Sequence, residues 1–271
     1  MTMISPYPWQ ASKPGILFST LSIMTTTLKT AIDKLKHDPI GFLRRAFYKT
    51  LVAPMKYRTR DGYDAARYWS DRFTRYGTSL KGVGDEGLSE RNNQIMYEKA
   101  AAAFLELCRA EGIDIPSARV LEIGSGNGFY TGLLKEQGAN RYLGLDITDA
   151  LFPVLRARFP GFQFIRRDIT ADVLEGEFDL ILMIDVIEHI VSEEKLDFAM
   201  SNVQRCLAHN GKFMVAPVAA QGRHSLFYVR FWTVDDVQKR LSACLFGEPK
   251  PFRDDSLLIA TKSPGQVSST G

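Results

Sequence analysis

Ala118-Arg119-Val120-Leu121-Glu122-Ile123-Gly124-Ser125-Gly126-Asn127-Gly128-Phe129-Tyr130 is an apolar strand pattern that runs into a glycine-rich turn and then into a helix-like segment. Gly124, Gly126 and Gly128 fall at every second residue, so the backbone can turn tightly and pass close to a ligand without Cβ clashes. The N–H groups that open the following helix would aim at the same place. A pyrophosphate-binding dinucleotide loop wants G-x-G-x-x-G, and its third glycine would fall at Phe129. The order here is G-x-G-x-G, preceded by Glu122, an acid that would sit badly beside a pyrophosphate. A strand–helix turn with no ligand is the plain alternative, and the residues at the ends of the downstream strands decide between the two.

From Arg119 onward strand and helix patterns alternate, which implies right-handed crossovers and a mainly parallel sheet. A helix from Phe129 to Gln137, ended by Gly138, leads to Tyr142-Leu143-Gly144-Leu145-Asp146. Asp146 closes this second strand and can accept two hydrogen bonds from vicinal ribose hydroxyls, or it can cap a helix beginning near Ala150. The third unit, Phe162 to Thr170, carries Asp168, by itself an ordinary turn residue. Within Phe178 to Ile184, Leu180 to Ile184 is a continuous apolar run, as expected of a strand buried on both faces. Asp185, Glu188 and His189 follow it, at the carboxyl end where open parallel sheets bind ligands.

Further on, a helix is expected from Glu193 to Leu207, stopped by His209-Asn210-Gly211, and then a fifth strand, Lys212 to Val218, with Pro217 at its end. Ala219 to Phe227 reads as a polar insertion, Thr233 as an N-cap with Asp236 three residues on, and Leu257 to Ala260 as the last strand.

The ordered motifs between Ala118 and Val218 resemble motifs I to IV of the class I S-adenosylmethionine-dependent methyltransferases, especially the branch containing ubiquinone-biosynthesis O-methyltransferases. The resemblance implies a doubly wound α/β Rossmann-like sheet, mostly parallel with one antiparallel strand, preceded by an N-terminal helical extension. It implies S-adenosyl-L-methionine as cofactor and S-adenosyl-L-homocysteine as product. Glu122, Gly124, Ser125, Gly126, Asn127 and Gly128 would surround the methionine end, Asp146 and Ile147 the ribose, Asp168 and Ile169 the adenine, with Ile184 and Asp185 on the next strand tip. His189 is the candidate catalytic base; the alternative is a histidine that braces the loop. Asp185, Glu188 and His189 also resemble the E-x-x-E-H set of magnesium-assisted relatives, but Asp replaces the first Glu and no second His stands close behind, so no metal is expected.

The 271 residues suffice for one large α/β domain with an appendage, and a net charge of +3 is too small to argue for nucleic acid. The three cysteines, Cys108, Cys206 and Cys244, lack C-x-x-C spacing and read as small buried hydrophobes in a reducing compartment. No apolar run reaches the roughly 18 residues of a transmembrane helix, and cytoplasm is the default.

The expected organisation is a flexible leader (1–27), a helical extension or lid (28–95), the cofactor-binding domain (96–262) and a disordered tail (263–271). Residues 28–60 are basic and amphipathic, with Leu43, Phe47 and Leu51 on one helical row and Pro39 and Pro54 as bounds. Such a segment can touch an anionic membrane peripherally, or simply pack on the domain with its lysines solvated. The Tyr68-Trp69-x-x-Arg72 segment resembles one that covers the cofactor pocket in many small-molecule methyltransferases; the alternative is plain aromatic packing.

The expected activity is methyl transfer to an oxygen or nitrogen of a small molecule. An NAD(P)-dependent Rossmann oxidoreductase and a non-catalytic, cofactor-binding or membrane-recruited accessory protein are the competing readings.

Overall fold

The computed structural model describes residues 39–263; the leader 1–27, the start of the basic segment and the tail beyond Ser263 lie outside the described residues. The chain divides after Arg44, and the described residues from Arg45 onward form one compact unit. Helix α1 (Pro39–Phe47) precedes a π-helical turn, Tyr48–Val52, and α2 (Ala53–Tyr57). Pro54 therefore does not bound the segment, a correction to the sequence expectation. The wider turn lets the Ala53 N–H reach Tyr48 O, and Pro54 falls in the first turn of α2, where its missing donor costs nothing.

A short ribbon, β1 (Arg58–Thr59) and β2 (Gly62–Tyr63), leads to α3 (Ala65–Tyr76), α4 (Leu80–Val83) and the long α5 (Glu90–Ala110). Asp64, Ser79 and Ser89 cap these three helices, each accepting from a main-chain N–H of the first turn. Because α5 is unbroken from 90 to 110, the boundary expected at residue 95 falls inside a helix.

The alternating part then follows: β3 (Arg119–Ile123), α6 (Phe129–Glu136), β4 (Arg141–Asp146), α7 (Phe152–Arg158), β5 (Gln163–Arg166), β6 (Phe178–Ile184), α8 (Glu193–Cys206) and β7 (Leu207–Val218). After it come a ribbon of β8 (Arg223–Leu226) and β9 (Val229–Phe231), then α9 (Val234–Gln238), β10 (Cys244–Phe246), β11 (Lys250–Phe252) and β12 (Asp255–Lys262). The main sheet has the order β10-β12-β7-β6-β3-β4-β5, with β11 paired to β12. β7, β6, β3, β4 and β5 are parallel, whereas β12 runs antiparallel to β7, and β10 and β11 extend that antiparallel edge. The order reverses at β3, the strand that feeds the glycine turn, which makes its tip the switch point where such sheets open a crevice.

Alternate strand residues feed two layers. Val120, Leu180 and Leu182 pack with Tyr97 and Phe104 of α5, Leu134 of α6 and Leu155 of α7. Leu121, Ile181 and Met183 pack on the other side with Leu196, Met200 and Val203 of α8. Each such leucine or isoleucine, fully buried, stabilises the fold by about 1.5–3 kcal/mol. Cys108, Cys206 and Cys244 are free and buried.

One expectation near β7 is corrected. The helix ends at Cys206 and β7 begins at once, so His209-Asn210-Gly211 is not a helix stop; it lies inside the strand, where the pairing to β6 shifts register and Asn210 takes φ 59°. Within the polar insertion after Val218, β8 forms and pairs with β9 just beyond it. The N-cap expected at Thr233 is present as a reciprocal capping box with Asp236.

Candidate functional site

An open cavity of about 1050 Å³ runs along the carboxyl edge of the sheet, lined by the tips of β3, β4, β5 and β6 and roofed by side chains from β2, α3, α4 and α5. Of the sequence-derived candidates, Glu122, Gly124, Ser125, Gly126, Asn127, Asp146, Ile147, Asp168, Ile169, Ile184, Asp185 and His189 line it. Two others do not. Gly128 caps α6 at φ 80°, and a Cβ there would stand 2.5 Å from Leu155 Cδ2, so its task is helix packing against α7 and not ligand contact. Tyr68 is buried among Tyr57, Tyr63 and Tyr228, and its hydroxyl accepts from Arg72; its neighbour Trp69 reaches the cavity instead.

Asp146 is shaped by the glycine turn. Its Oδ2 accepts the Gly126 N–H at 2.9 Å and its Oδ1 the Thr148 N–H at 3.1 Å. It caps no helix, since α7 begins only at Phe152 with Leu151 before it. Burial pushes its carboxyl up to about 6, against the pull of the Gly126, Thr148 and Ile147 amides.

Glu122 is fully enclosed. Its Oε2 accepts from Tyr142 OH at 2.5 Å and from Thr131 Oγ1 at 2.8 Å, which anchors the end of β3 to α6 and β4. Burial pushes this carboxyl up to about 7, opposed by the Tyr142 and Thr131 hydrogen bonds and assisted by the nearby Asp146. Asp168 makes a tight turn, accepting from Thr170 N and Oγ1 at 2.8 and 2.6 Å, which holds Ile169 beneath the cavity.

The turn leaves one group without a partner: Ser125 Oγ is buried and has no hydrogen bond, although it faces the cavity. A ligand bearing both donors and acceptors would satisfy it. At Gly126, φ is 48° and a Cβ would meet Val83 Cγ1 at 2.9 Å, so α4 packs directly on the turn. Asn127 Nδ2 donates to Thr78 O at 3.0 Å, a second tie between the turn and the α3–α4 connection. Arg72 fastens α4 from behind by donating to the carbonyls of Lys81, Gly82 and Gly84.

On the far side, Trp69 and His189 meet edge to face with centroids 4.8 Å apart, beside Tyr63, Phe73 and Val191. His189 Nδ1 lies 3.1 Å from Tyr228 O. A carbonyl only accepts, so Nδ1 carries the hydrogen and Nε2 keeps a lone pair. Burial lowers the imidazole to about 4, against the Tyr228 carbonyl, so the ring is neutral at physiological pH. Glu188 Oε1 lies 4.0 Å from Nε2, while Oε2 is buried without a partner; burial and the neighbouring Asp185 hold its carboxyl well above the usual range. Glu188 itself does not line the cavity.

Sequence reasoning missed Arg253, which binds Asp185 from the turn between β11 and β12. It also passed over Tyr97, which reaches the cavity and donates to Asp185 Oδ2 at 3.3 Å. The available signal was the polar run Arg253-Asp254-Asp255-Ser256 ahead of the apolar Leu257–Ala260, which marks a turn but not what it faces. Among the described residues, no group of three or more His, Cys, Asp or Glu side chains could hold a metal ion.

Residues 121–215 match a family model described as a methyltransferase domain. The match covers 95 of the 271 residues. A search of curated proteins finds no match. Among solved structures, the chain is similar to the Burkholderia thailandensis 1,6-didemethyltoxoflavin-N1-methyltransferase with bound 1,6-didemethyltoxoflavin and S-adenosylhomocysteine (17% identity, 76% of this chain and 94% of that one, TM-score 0.53). It is similar also to the N-methyltransferase NodS from Bradyrhizobium japonicum WM9 (19% identity, 62% and 96%, TM-score 0.50). A third is CalS10 from Micromonospora echinaspora, an amino pentose methyltransferase (16%, 62% and 92%, TM-score 0.50). At these identities the likeness establishes a shared Rossmann-like fold. Among the described residues, no helix is long and apolar enough to cross a membrane.

Proposed function

We propose that the protein is an S-adenosylmethionine-dependent methyltransferase acting on an oxygen or nitrogen of a small molecule. The observation that carries this reading is the single cavity that joins the Gly126–Asp146 unit to the Trp69–His189 wall. When bound, the cofactor supplies an electrophilic methyl on a sulfonium. Asp146 would hold the ribose hydroxyls, Asp168 and Ile169 the adenine, and Ser125, Gly124 and Asp185 the amino-acid end, with Glu122 steadying the turn from behind through Thr131 and Tyr142. Tyr63, Trp69 and Phe73 exclude water and align an acceptor against the cofactor, which is the main help a displacement of this type needs.

His189 Nε2 serves as the proton acceptor. A hydroxyl becomes strongly acidic as its oxygen gains a carbon, so even an imidazole lowered to about 4 can take that proton. The calorimetric comparison of S-adenosylmethionine, S-adenosylhomocysteine and NAD tests the cofactor: tight binding of the first two and none of NAD is expected, and the reverse would establish the oxidoreductase. Methyl incorporation across a panel of small phenols and amines then separates an enzyme from a binding protein.

A peripheral contact with an anionic membrane through residues 28–60 is a second reading, favoured by exposed Phe47, Leu51 and Met55. Against it, Lys49 and Lys56 are held by Glu86 and Asp71 at 3.0 and 2.7 Å. Flotation with anionic vesicles decides it.

A further inference from the structure

Asp185 and Arg253 lie 68 positions apart and meet at the tip of β6, where Arg253 Nη1 donates to both carboxylate oxygens at 2.6 Å. The same guanidinium stacks over the Tyr97 ring at 4.6 Å and reaches Tyr130 OH at 3.5 Å. Both partners adopt φ values that favour glycine, 59° for Asp185 and 54° for Arg253, and only Asn210 shares that property among the described non-glycine residues. A left-handed backbone is disfavoured for a non-glycine residue, and here it is adopted twice, on both sides of one ion pair. Arg253 sits in the two-residue turn between β11 and β12, where Phe252 pairs with Asp255. The residue is exposed at that turn, but its side chain keeps only 19% exposure because it is directed inward.

The sheet order says what this corner faces. Asp146 and Asp168 stand at the ends of β4 and β5, while Asp185 stands at the end of β6, beyond β3. β5 and β6 are three strand spacings apart, roughly 14 Å, so an adenosyl group at β4 and β5 leaves the β6 tip to the other end of the same ligand. That end is an α-ammonium carboxylate. It would meet the Asp185 carboxylate and the Tyr97 and Tyr130 hydroxyls, all of which line the cavity. Arg253 does not line it; it acts through Asp185.

We propose that Arg253 is a positioning residue, which fixes the Asp185 carboxylate so that the cavity selects the amino-acid end of its ligand. This rests on the protein's binding a sulfonium methyl donor. The antiparallel edge of the sheet thereby enters the site: the β11–β12 turn delivers the counter-ion that the β6 tip lacks.

Calorimetry with two probes tests this on the full chain: S-adenosylhomocysteine, and methylthioadenosine, which keeps the adenosyl thioether but lacks the ammonium and carboxylate. Arg253→Gly removes the guanidinium while supplying the residue that the turn geometry favours, so the fold is expected to survive, as thermal melting will show. In R253G, affinity for S-adenosylhomocysteine should fall at least about tenfold and affinity for methylthioadenosine less than about twofold. Arg253→Lys should recover part of the difference, and Asp185→Asn should reproduce the selective loss. Equal loss for both probes, or no loss for either, overturns the assignment. Failure of the unaltered protein to bind S-adenosylhomocysteine would instead overturn the donor reading, and this inference with it.

Discussion

The main-chain N–H of Gly126 donates to Asp146 Oδ2 at 2.9 Å, so the glycine turn and the tip of the adjacent strand form one hydrogen-bonded unit. One carboxylate therefore sets the shape of the loop and also keeps lone pairs for a ligand's hydroxyls. Asp146→Ala removes both and leaves the Gly126 amide unpaired; affinity for S-adenosylhomocysteine should fall about 100-fold, or roughly 3 kcal/mol. Asp146→Asn keeps one acceptor and should lose about tenfold. Calorimetry reads both values, and wild-type affinity in D146A would show that Asp146 touches no ligand.

The same group makes binding depend on pH. Burial holds Asp146 at about 6, and acceptance of two hydroxyls requires the ionised form. Affinity for S-adenosylhomocysteine should weaken as pH falls from 7 through about 6 to 5, and D146N should remove most of that dependence.

Glu122 gives a pH effect on stability instead. Its folded value of about 7 exceeds the ordinary 4.5, so the folded chain holds this proton more tightly than the unfolded chain does. Its contribution to stability is accordingly present in full below about 4.5, declines as pH rises to about 7 and is then constant, a change of about 3 kcal/mol. Asp146 acts with the same sign between its ordinary 3.8 and about 6. Denaturant melts at pH 5 and pH 8 should show a larger fall in wild type than in Glu122→Gln; equal falls would mean the carboxyl titrates normally.

Gly128→Ala should separate folding from binding. A Cβ at φ 80° would lie 2.5 Å from Leu155 Cδ2 and 3.0 Å from Phe159 Cε2, a destabilisation of about 2–4 kcal/mol. Because Gly128 does not line the cavity, the folded fraction should keep its affinity for S-adenosylhomocysteine. A selective loss of affinity without a change in melting would restore the ligand role that the sequence suggests.

That contrast shows what was legible in the chain. The alternation of apolar runs and helices announced the parallel sheet, and acids at strand ends announced its ligand edge, because strand tips converge whatever the loops do. Gly128 and Gly126 look alike in sequence; one faces Leu155 and the other Val83, and only tertiary packing distinguishes them. Tyr68 and Trp69 likewise differ only in which side of α3 they occupy. Arg253 was invisible because its partner Asp185 lies 68 positions away, a pairing set by the antiparallel return of β12 beside β7. The helix stop at His209-Asn210-Gly211 misled because a bulged strand uses the same residues.

His189 supplies the test of chemistry itself. Its Nδ1–H is committed to Tyr228 O, and the ring stacks beside Tyr228 at 5.9 Å with planes 15° apart, so Nε2 is held in one orientation. His189→Ala should lower kcat about 100-fold with an acceptor found in the panel, while affinity for S-adenosylhomocysteine changes less than about twofold. Since burial holds the imidazole at about 4, wild-type kcat should show no inflection near 6.5 and should decline only toward that lower value. An inflection at 6.5 that disappears in H189A would mean the ring opens to solvent during turnover. An unchanged kcat in H189A would reduce His189 to a brace between the β6 tip and the Tyr228 carbonyl.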